Sequence, residues 1–595
     1  MEIAGEETTD RPQRVLLIVT AIVVAATRLM AIAKSVWDWD EVLFSLALND
    51  YDVAAHHPHP PGFPLYVALA RMARLFVRQD FHALQAVNFL AAVLIFPAVY
   101  FLGRAFRFDF ATSYTAGLLF AFIPAVWFLG GTGFSDIPGL VFLLLAILFL
   151  LRGRGSSRAY VLGSVLLGLA LGVRPQSGLQ AAFPWIAATW SRRGRWQSVM
   201  LGACLTFSIV AASYATAAWI TGVASYRKAV HAHGEYLMKV DSYRNTARPA
   251  PLHLVGDFLL HPDGGSMLVP LVALAALGLL RARKPSLEVL ATFGPFFVAA
   301  LFLLDINSVS RYSIGYFVMV ALLAAEGLRL VVRPVTIWRP FAGMGLQLLL
   351  ALALTGRMVW WSVPAIREVH RHASPPAEAM QWIHEHLDWR KATIYVHGSM
   401  GPHAEYFLGA YRQVYVDTGD PIAIADARDA WYLTEGTAGS ADGLVFTRKR
   451  STLFGIARRR YFEVSVYPLS DAFRFGSGWY DQESSGPSAF RWMGRSSLTQ
   501  VPPISGKGTL RLRFYVPLDG QRKPVVTVTF NGIVVDQVTC VTAEVERRYL
   551  LPSRIGTSNE LRLDVDQVVN PAREHLGTDG RDLGVQLSGY SWMPE

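Results

Sequence analysis

A chain of 595 residues that is 52% apolar and only 17% charged, with a mean hydropathy of +0.31, is not an ordinary soluble globule. Its net charge of +10 would suit a nucleic acid, but the lysines and arginines fall in short clusters between apolar runs rather than along one face. That pattern excludes nucleic acid and makes membrane lipid the expected surrounding. Two cysteines, Cys204 in an apolar run and Cys540 in a polar region, offer neither a disulfide framework nor metal-ligand spacing.

Windows of about 20 residues predict eleven membrane spans, near 14–33, 83–102, 111–130, 137–151, 159–173, 177–190, 198–221, 266–280, 287–304, 314–332 and 340–361. The first has no small-residue cleavage site and is followed by Trp and acids, so it reads as a retained anchor. Arg104, Arg107, Arg152, Arg154, Arg158, Arg192, Arg193, Arg195, Arg281, Arg283, Lys284, Arg329, Arg333 and Arg339 share one side. The positive-inside bias makes that side cytoplasmic. Segments 35–82, 130–136, 174–176, 222–265, 305–311 and all that follows Trp361 are then outside. Residues 62–77 could pass as a twelfth span, which would invert every later loop. Arg71, Arg74 and Arg78 at helical spacing instead predict an amphipathic helix in the outer interface.

The first outer loop reads SVWDWDEVLFSLALNDYDVAAHHPHPPGFPLY from Ser35. It gathers Asp38, Asp40, Glu41, Asp52, His56, His57 and His59 beside a bilayer, where charged groups lose solvation and are retained for use. Several local readings stay open. Asp40 can cap the helix that follows, with Trp39 as a staple. Asp136 before Ile137-Pro138 also suits a plain helix start. The run 137–151, however, spans only ~22 Å of a ~30 Å hydrocarbon core, which would recess Asp136 in a cleft. The adjacent histidines do not have a common metal-ligand spacing. Arg174 before Pro175 can snorkel to the interface, or join Arg311 on the same face as a phosphate clamp. His231, His233, Lys239, Arg244 and Arg248 lie in a long outer loop.

From Ser374-Pro375-Pro376 alternation replaces long apolar runs. AEAMQWIHEHL predicts a helix, and ATIYVHG, QVYVDTGD, AWYLTEG and GLVFTRK predict strands of an α/β unit. Beyond about 471 the pattern is all β. TLRLRFYV and ELRLDVDQVV alternate with period two, and Asn531-Gly532 between VVTVTF and IVVDQV signals a hairpin, so a sandwich or jelly roll is expected. The predicted organisation is a polytopic helical domain over 1–361, an extracytoplasmic α/β domain over 362–470 and an extracytoplasmic β-sandwich over 471–595.

Five segments occur in a telling order: WDWDE after the first span, HPHPPGFPLYVAL closing the first loop, FSDIPGLVFLLLA, GLALGVRPQSGL and SRYSIGYFVMVALLAAEGL. With them the chain resembles the GT-C membrane glycosyltransferases over roughly residues 14–361. More narrowly, it is similar to the branch holding dolichyl-phosphate-mannose protein mannosyltransferases and bacterial lipid A aminoarabinose transferases. It departs from the latter where their loop looks basic and this one reads His57-Pro58-His59.

The resemblance implies transfer of a sugar from a polyprenyl-phosphate donor to a lipid, protein or polysaccharide acceptor on the extracytoplasmic side of a bacterial inner membrane, with inversion. A carboxylate suits removal of the acceptor's proton, and Asp40 is the expected base with Glu41 as substitute. By the same resemblance Asp136 is the second acid of the site. Cations should stabilise the leaving phosphate; Arg174, Arg311, His57 and His59 are the candidates. Trp37, Trp39 and Tyr312 are the aromatic candidates for contact with sugar or acceptor. No cofactor is required by these residues, although a divalent cation at the acidic pair is compatible with them. A flippase for lipid-linked sugars would also show many spans with few buried charges, and a silent anchor for the β domain is the third reading.

Overall fold

The computed structural model describes residues 10–280, 283–416, 430–436, 444–448, 462–468, 473–485, 488–503, 506–518, 522–554, 557–574 and 576–594. Two compact units divide between Ala373 and Ser374.

The first unit is helical. It opens with α1 (Arg11–Leu29), the short loop helices α2 (Trp39–Asn49) and α3 (Pro64–Arg74), then α4 (Asp80–Ala105), α5 (Phe110–Ala121), α6 (Pro124–Leu129), α7 (Asp136–Gly153) and α8 (Ser157–Val173). It continues through α9 (Ser177–Ser191), α10 (Trp196–Thr221), α11 (Val223–Tyr236), α12 (Pro251–Leu259), α13 (Val269–Leu280), α14 (Lys284–Leu303), α15 (Val309–Trp338) and α16 (Pro340–Arg371). Among the described residues seven helices are long and apolar enough to cross a membrane, and α5, α8 and the segment ending in α13 are shorter apolar helices. The chain is a multi-pass membrane protein.

Segment 62–77 holds only α3, 11 residues or ~17 Å, too short to span. Its Arg71 and Arg74 instead donate to the carbonyls of Ala47 (2.9 Å) and Leu48 (3.2 Å), which satisfies the free end of α2.

The continuous span expected over 111–130 is broken. Pro124 has no N–H to donate and drives the preceding residue out of helical geometry, and Ile123 sits at φ −54°, ψ 129°. Arg28, fully buried in α1, donates to the Ala121 carbonyl at that break and lies 5.4 Å from the Phe122 ring. A guanidinium at the C-terminal end of α5 meets the negative end of its dipole.

Helix α15 is the central rod, buried along most of its length and packed against α5, α13, α14 and α16. Its crossing with α13 is made backbone to backbone. A Cβ at Gly327 would stand 1.9 Å from the Leu274 carbonyl oxygen, and one at Gly278 2.2 Å from that of Leu323. In a membrane, where lipid tails are as apolar as leucine, such close approach of small residues is what holds helices together. Helix α16 passes the expected boundary at Trp361 and ends at Arg371.

The second unit joins what the sequence divides into α/β and all-β parts; the boundary near 470 falls outside the described residues. Helix α17 (Pro375–His386) is capped by the Ser374 hydroxyl, which accepts from Ala377 N–H at 3.3 Å. Strands β1 (Thr393–His397), β2 (Arg412–Val416), β3 (Ala430–Glu435), β4 (Leu444–Thr447) and β5 (Glu463–Pro468) form one sheet in the order β2-β1-β3-β5-β4. Strand β1 runs parallel to β2 and β3, whereas β5 is antiparallel. The end of the predicted strand QVYVDTGD, 417–420, lies outside the described residues.

Two five-stranded antiparallel sheets follow and share one core that includes Leu510, Leu512, Phe514, Val526, Val528 and Leu563. Their hairpin Val525–Phe530 to Ile533–Thr539 turns at Asn531 and Gly532, both at positive φ (53° and 83°), the geometry of a type I′ turn.

The glycine crossing is testable. Gly327→Leu is expected to force α13 and α15 apart and cost about 1–3 kcal/mol or more, read as a lower melting temperature of the detergent-purified protein.

Candidate active site

The C-terminal end of α1 is sewn to the loop between α6 and α7. Ala33 N–H donates to the Gly131 carbonyl (3.0 Å), and Gln85 of α4 donates to the carbonyls of both Ala33 and Gly131 (2.8 Å each). A side chain at Gly131 would collide with the Ala31 carbonyl at 1.8 Å. Asn88, one turn further along α4, donates to the Phe134 carbonyl (2.5 Å) and to the Tyr66 hydroxyl (3.1 Å), while that hydroxyl donates to the Gly133 carbonyl (2.7 Å). The loop backbone is thereby satisfied where water is scarce.

Helix α2 begins in the same place. Its cap is Asp38, whose carboxylate accepts from Asp40 N–H at 3.0 Å, and Glu41 closes a capping box. Asp40 is therefore inside the first turn, and its own carboxylate is released from capping. Glu41 is consumed. One of its oxygens accepts from the N–H groups of Trp37 (2.8 Å) and Asp38 (3.0 Å), the other from Gly133 N–H (2.7 Å). Burial pushes its carboxyl up to about 7, against the backbone donors, which favour the charged form. Where a substitute base was expected, Glu41 is a clamp between two loops, because both of its oxygens are taken up by backbone N–H groups.

Four charged groups meet beside this clamp. Arg311, in the first turn of α15, donates through Nη1 to Asp40 Oδ2 and through Nε to Asp136 Oδ2 (2.9 Å). Arg174, the C-cap of α8, reaches the same Asp136 oxygen through Nη1 (2.7 Å) and donates to Ser135 Oγ (3.0 Å). Phe134 lies 4.3 Å from the Arg311 guanidinium, and Arg174 lies along Gly139, where an added Cβ would stand 2.8 Å from its side chain. Exposure is 9% for Asp40, 4% for Asp136 and 7% for each arginine. Two positive and two negative charges can share so dry a site only because they compensate one another. Next to them a hollow of about 30 Å³, room for a water, is lined by Asp136, Arg174, Gln176, Arg311 and Tyr312.

His59 Nδ1 lies 3.7 Å from Asp40 Oδ1, with its ring 5.7 Å from Phe44, 4.8 Å from Phe63 and 6.1 Å from His233 of α11. Burial drives its pKa down to about 4. Asp40 opposes this shift, while Arg311, His233 and Arg174 add to it. Burial thus favours the neutral ring, so that His59 stands beside Asp40 without adding a charge to the cluster. His57 is elsewhere: its backbone bridges Asp52 (2.7 and 2.8 Å), and its Nδ1 lies 3.7 Å from Asp50 Oδ2. Trp37 is buried with its backbone N–H on Glu41, and Trp39 is half-buried. Tyr312 does line the hollow.

The sequence reading missed Tyr66, Gln85, Asn88 and Ser135. Gln85 and Asn88, three residues apart in an otherwise apolar helix, were the available signal. Among the described residues no group of three or more His, Cys, Asp or Glu could hold a metal ion.

ArnT from Cupriavidus metallidurans bound to undecaprenyl phosphate aligns with 76% of this chain and 97% of its own, at a TM-score of 0.50 and 12% identity. The chain has a GT-C fold. The apo state of the same ArnT aligns over the same shares at 0.49 and 12% identity. An oligosaccharyltransferase of Archaeoglobus fulgidus in complex with Zn and sulfate gives 0.45 at 10% identity, over 97% of this chain and 98% of that one. No protein-family model and no curated protein matches the sequence. Within this GT-C fold the acid pair after α1, the acid opening α7 and the arginines of α8 and α15 stand at one end of the helices.

Two substitutions separate scaffold from chemistry. Glu41→Gln turns an acceptor into an amide that faces an N–H donor, so a loss of about 1–3 kcal/mol in stability is expected, measured by thermal melting. A neutral buried His59 contributes stability in full above pH 6.5, and that contribution fades as pH falls toward about 4. His59→Gln should flatten this acid limb in melting curves taken across the window.

Proposed function

We propose that the protein is a glycosyltransferase that moves one sugar from a polyprenyl-phosphate donor to an acceptor hydroxyl, with inversion, at the extracytoplasmic face of a bacterial inner membrane. The observation that carries this reading is the convergence of Asp40, Asp136, Arg174 and Arg311, from four separate elements, on one buried cluster. The undecaprenyl phosphate held by ArnT supports the donor class. The arginine-rich loops at the opposite helix ends support the orientation, and the second unit then lies outside the cell membrane.

The chemistry follows from charge. Loss of the polyprenyl phosphate leaves an anion, which the fixed guanidinium groups of Arg174 and Arg311 stabilise without reorganising. Asp136 holds both arginines and so sets their height. Asp40 takes the acceptor's proton as its oxygen attacks the anomeric carbon from the side opposite the departing phosphate. In the cluster as it stands Asp40 is bound to Arg311. A donor phosphate competing for that guanidinium frees the carboxylate, so arrival of the donor arms the base. Both acids already have guanidinium partners, and we assign no metal to the reaction.

The test is transfer from a radiolabelled polyprenyl-phosphate sugar in proteoliposomes. Asp40→Asn is expected to lower the rate about 10²–10⁴-fold without raising donor KM, since the amide competes less for Arg311, Arg311→Lys to raise donor KM, and EDTA to leave transfer unaltered. Transfer at the wild-type rate by Asp40→Asn would overturn the assignment, and movement of intact donor without transfer would replace it by a flippase.

A further inference from the structure

Away from the cluster, at the opposite ends of α8 and α10, the two helices line an open groove of about 550 Å³. Its chemistry is graded along the helix axes. Ser157, Arg158, Gln197 and Ser198 line the end where both helices begin, and Val161, Leu162, Val165 and Leu201 line the deeper part. From Arg158 to Val165 is ~10 Å of helix rise.

The polar end is built. Arg192, 3% exposed, bridges the two walls by donating to Ser157 Oγ on one and Ser198 Oγ (3.3 Å) on the other, with a third bond to the Gly153 carbonyl (3.1 Å). Arg158 is exposed, and Arg193 and Arg195 follow in the same turn. Two tryptophans, Trp190 at 68% and Trp196 at 67% exposure, stand at this end of α9 and α10, with Arg193 5.0 Å from the Trp190 ring. Exposed tryptophans at helix ends mark headgroup depth.

We infer that this groove binds one anionic phospholipid of the cytoplasmic leaflet. The headgroup phosphate faces Arg158, and an acyl chain lies over Val161, Val165 and Leu201. Basic pockets between helices on that side of a membrane select anionic headgroups, and the apolar floor gives the chain a berth that bulk lipid packing does not. Binding here staples the near ends of α8 and α10, and α8 carries Arg174 at its other end.

The experiment uses the full detergent-purified chain, incubated with dioleoyl phosphatidylglycerol or dioleoyl phosphatidylcholine and read by native mass spectrometry. One phosphatidylglycerol should be retained in roughly tenfold preference to phosphatidylcholine, the scale set by an interfacial arginine or two. Arg158→Glu, an exposed change, should abolish that preference, and Val165→Trp should fill the groove and lower retention. Equal retention of both lipids by the wild type, an unchanged preference in Arg158→Glu, or displacement of phosphatidylglycerol by equimolar undecaprenyl phosphate would each overturn the proposal. Should Val165→Trp fail to fold, Arg158→Glu decides alone.

Discussion

Two guanidinium groups and two carboxylates, neutral as a set and almost free of water, are the constraint around which the membrane unit is arranged. None of the four could be buried alone, since an isolated charge in that surrounding would be too costly to keep. Each arrives on a separate element: Asp40 in the first turn of α2, Asp136 opening α7, Arg174 ending α8 and Arg311 opening α15. The helix ends therefore have to meet at one level, and the polar ties from Gln85, Asn88, Tyr66 and Glu41 hold the intervening loop at that level.

Much of this was legible in the sequence. Each of the eleven apolar windows overlaps helix, though that over 111–130 is broken before Pro124, because hydropathy in a membrane protein reports directly on the requirement that every backbone group be satisfied within its segment. Asp40, Asp136, Arg174 and Arg311 could be singled out as charges beside apolar runs. Three things were not readable. Pro124 ends α5, but a proline in an apolar run is tolerated as often as not in such helices. Asp40 reads as a possible cap until Glu41 is seen to reach the backbone of Trp37 and Asp38, which makes Asp38 the cap and leaves the Asp40 carboxylate to pair with Arg311. The state of His59 depends on burial between Phe44 and Phe63, which are 15 residues or fewer from it in sequence but hold no pattern that says so.

The β-rich unit was legible for a different reason. Period-two alternation and a single Asn-Gly turn fix register locally, so strands Lys507–Tyr515 and Asn559–Val565 fall where the alternation puts them. The α/β sheet is less transparent, since parallel pairing of β1 with β2 and β3 depends on crossovers rather than on turns.

Helix α15 carries Arg311 near one end and Gly327 sixteen residues away, ~24 Å along the axis. Because the backbone of Gly327 rests on that of Leu274, the helix has no slack to slide. It works as a gauge rod, whose mid-membrane stop determines how far the guanidinium protrudes at the tip. Shape complementarity between two glycines thus sets a dimension of the site from which they are remote.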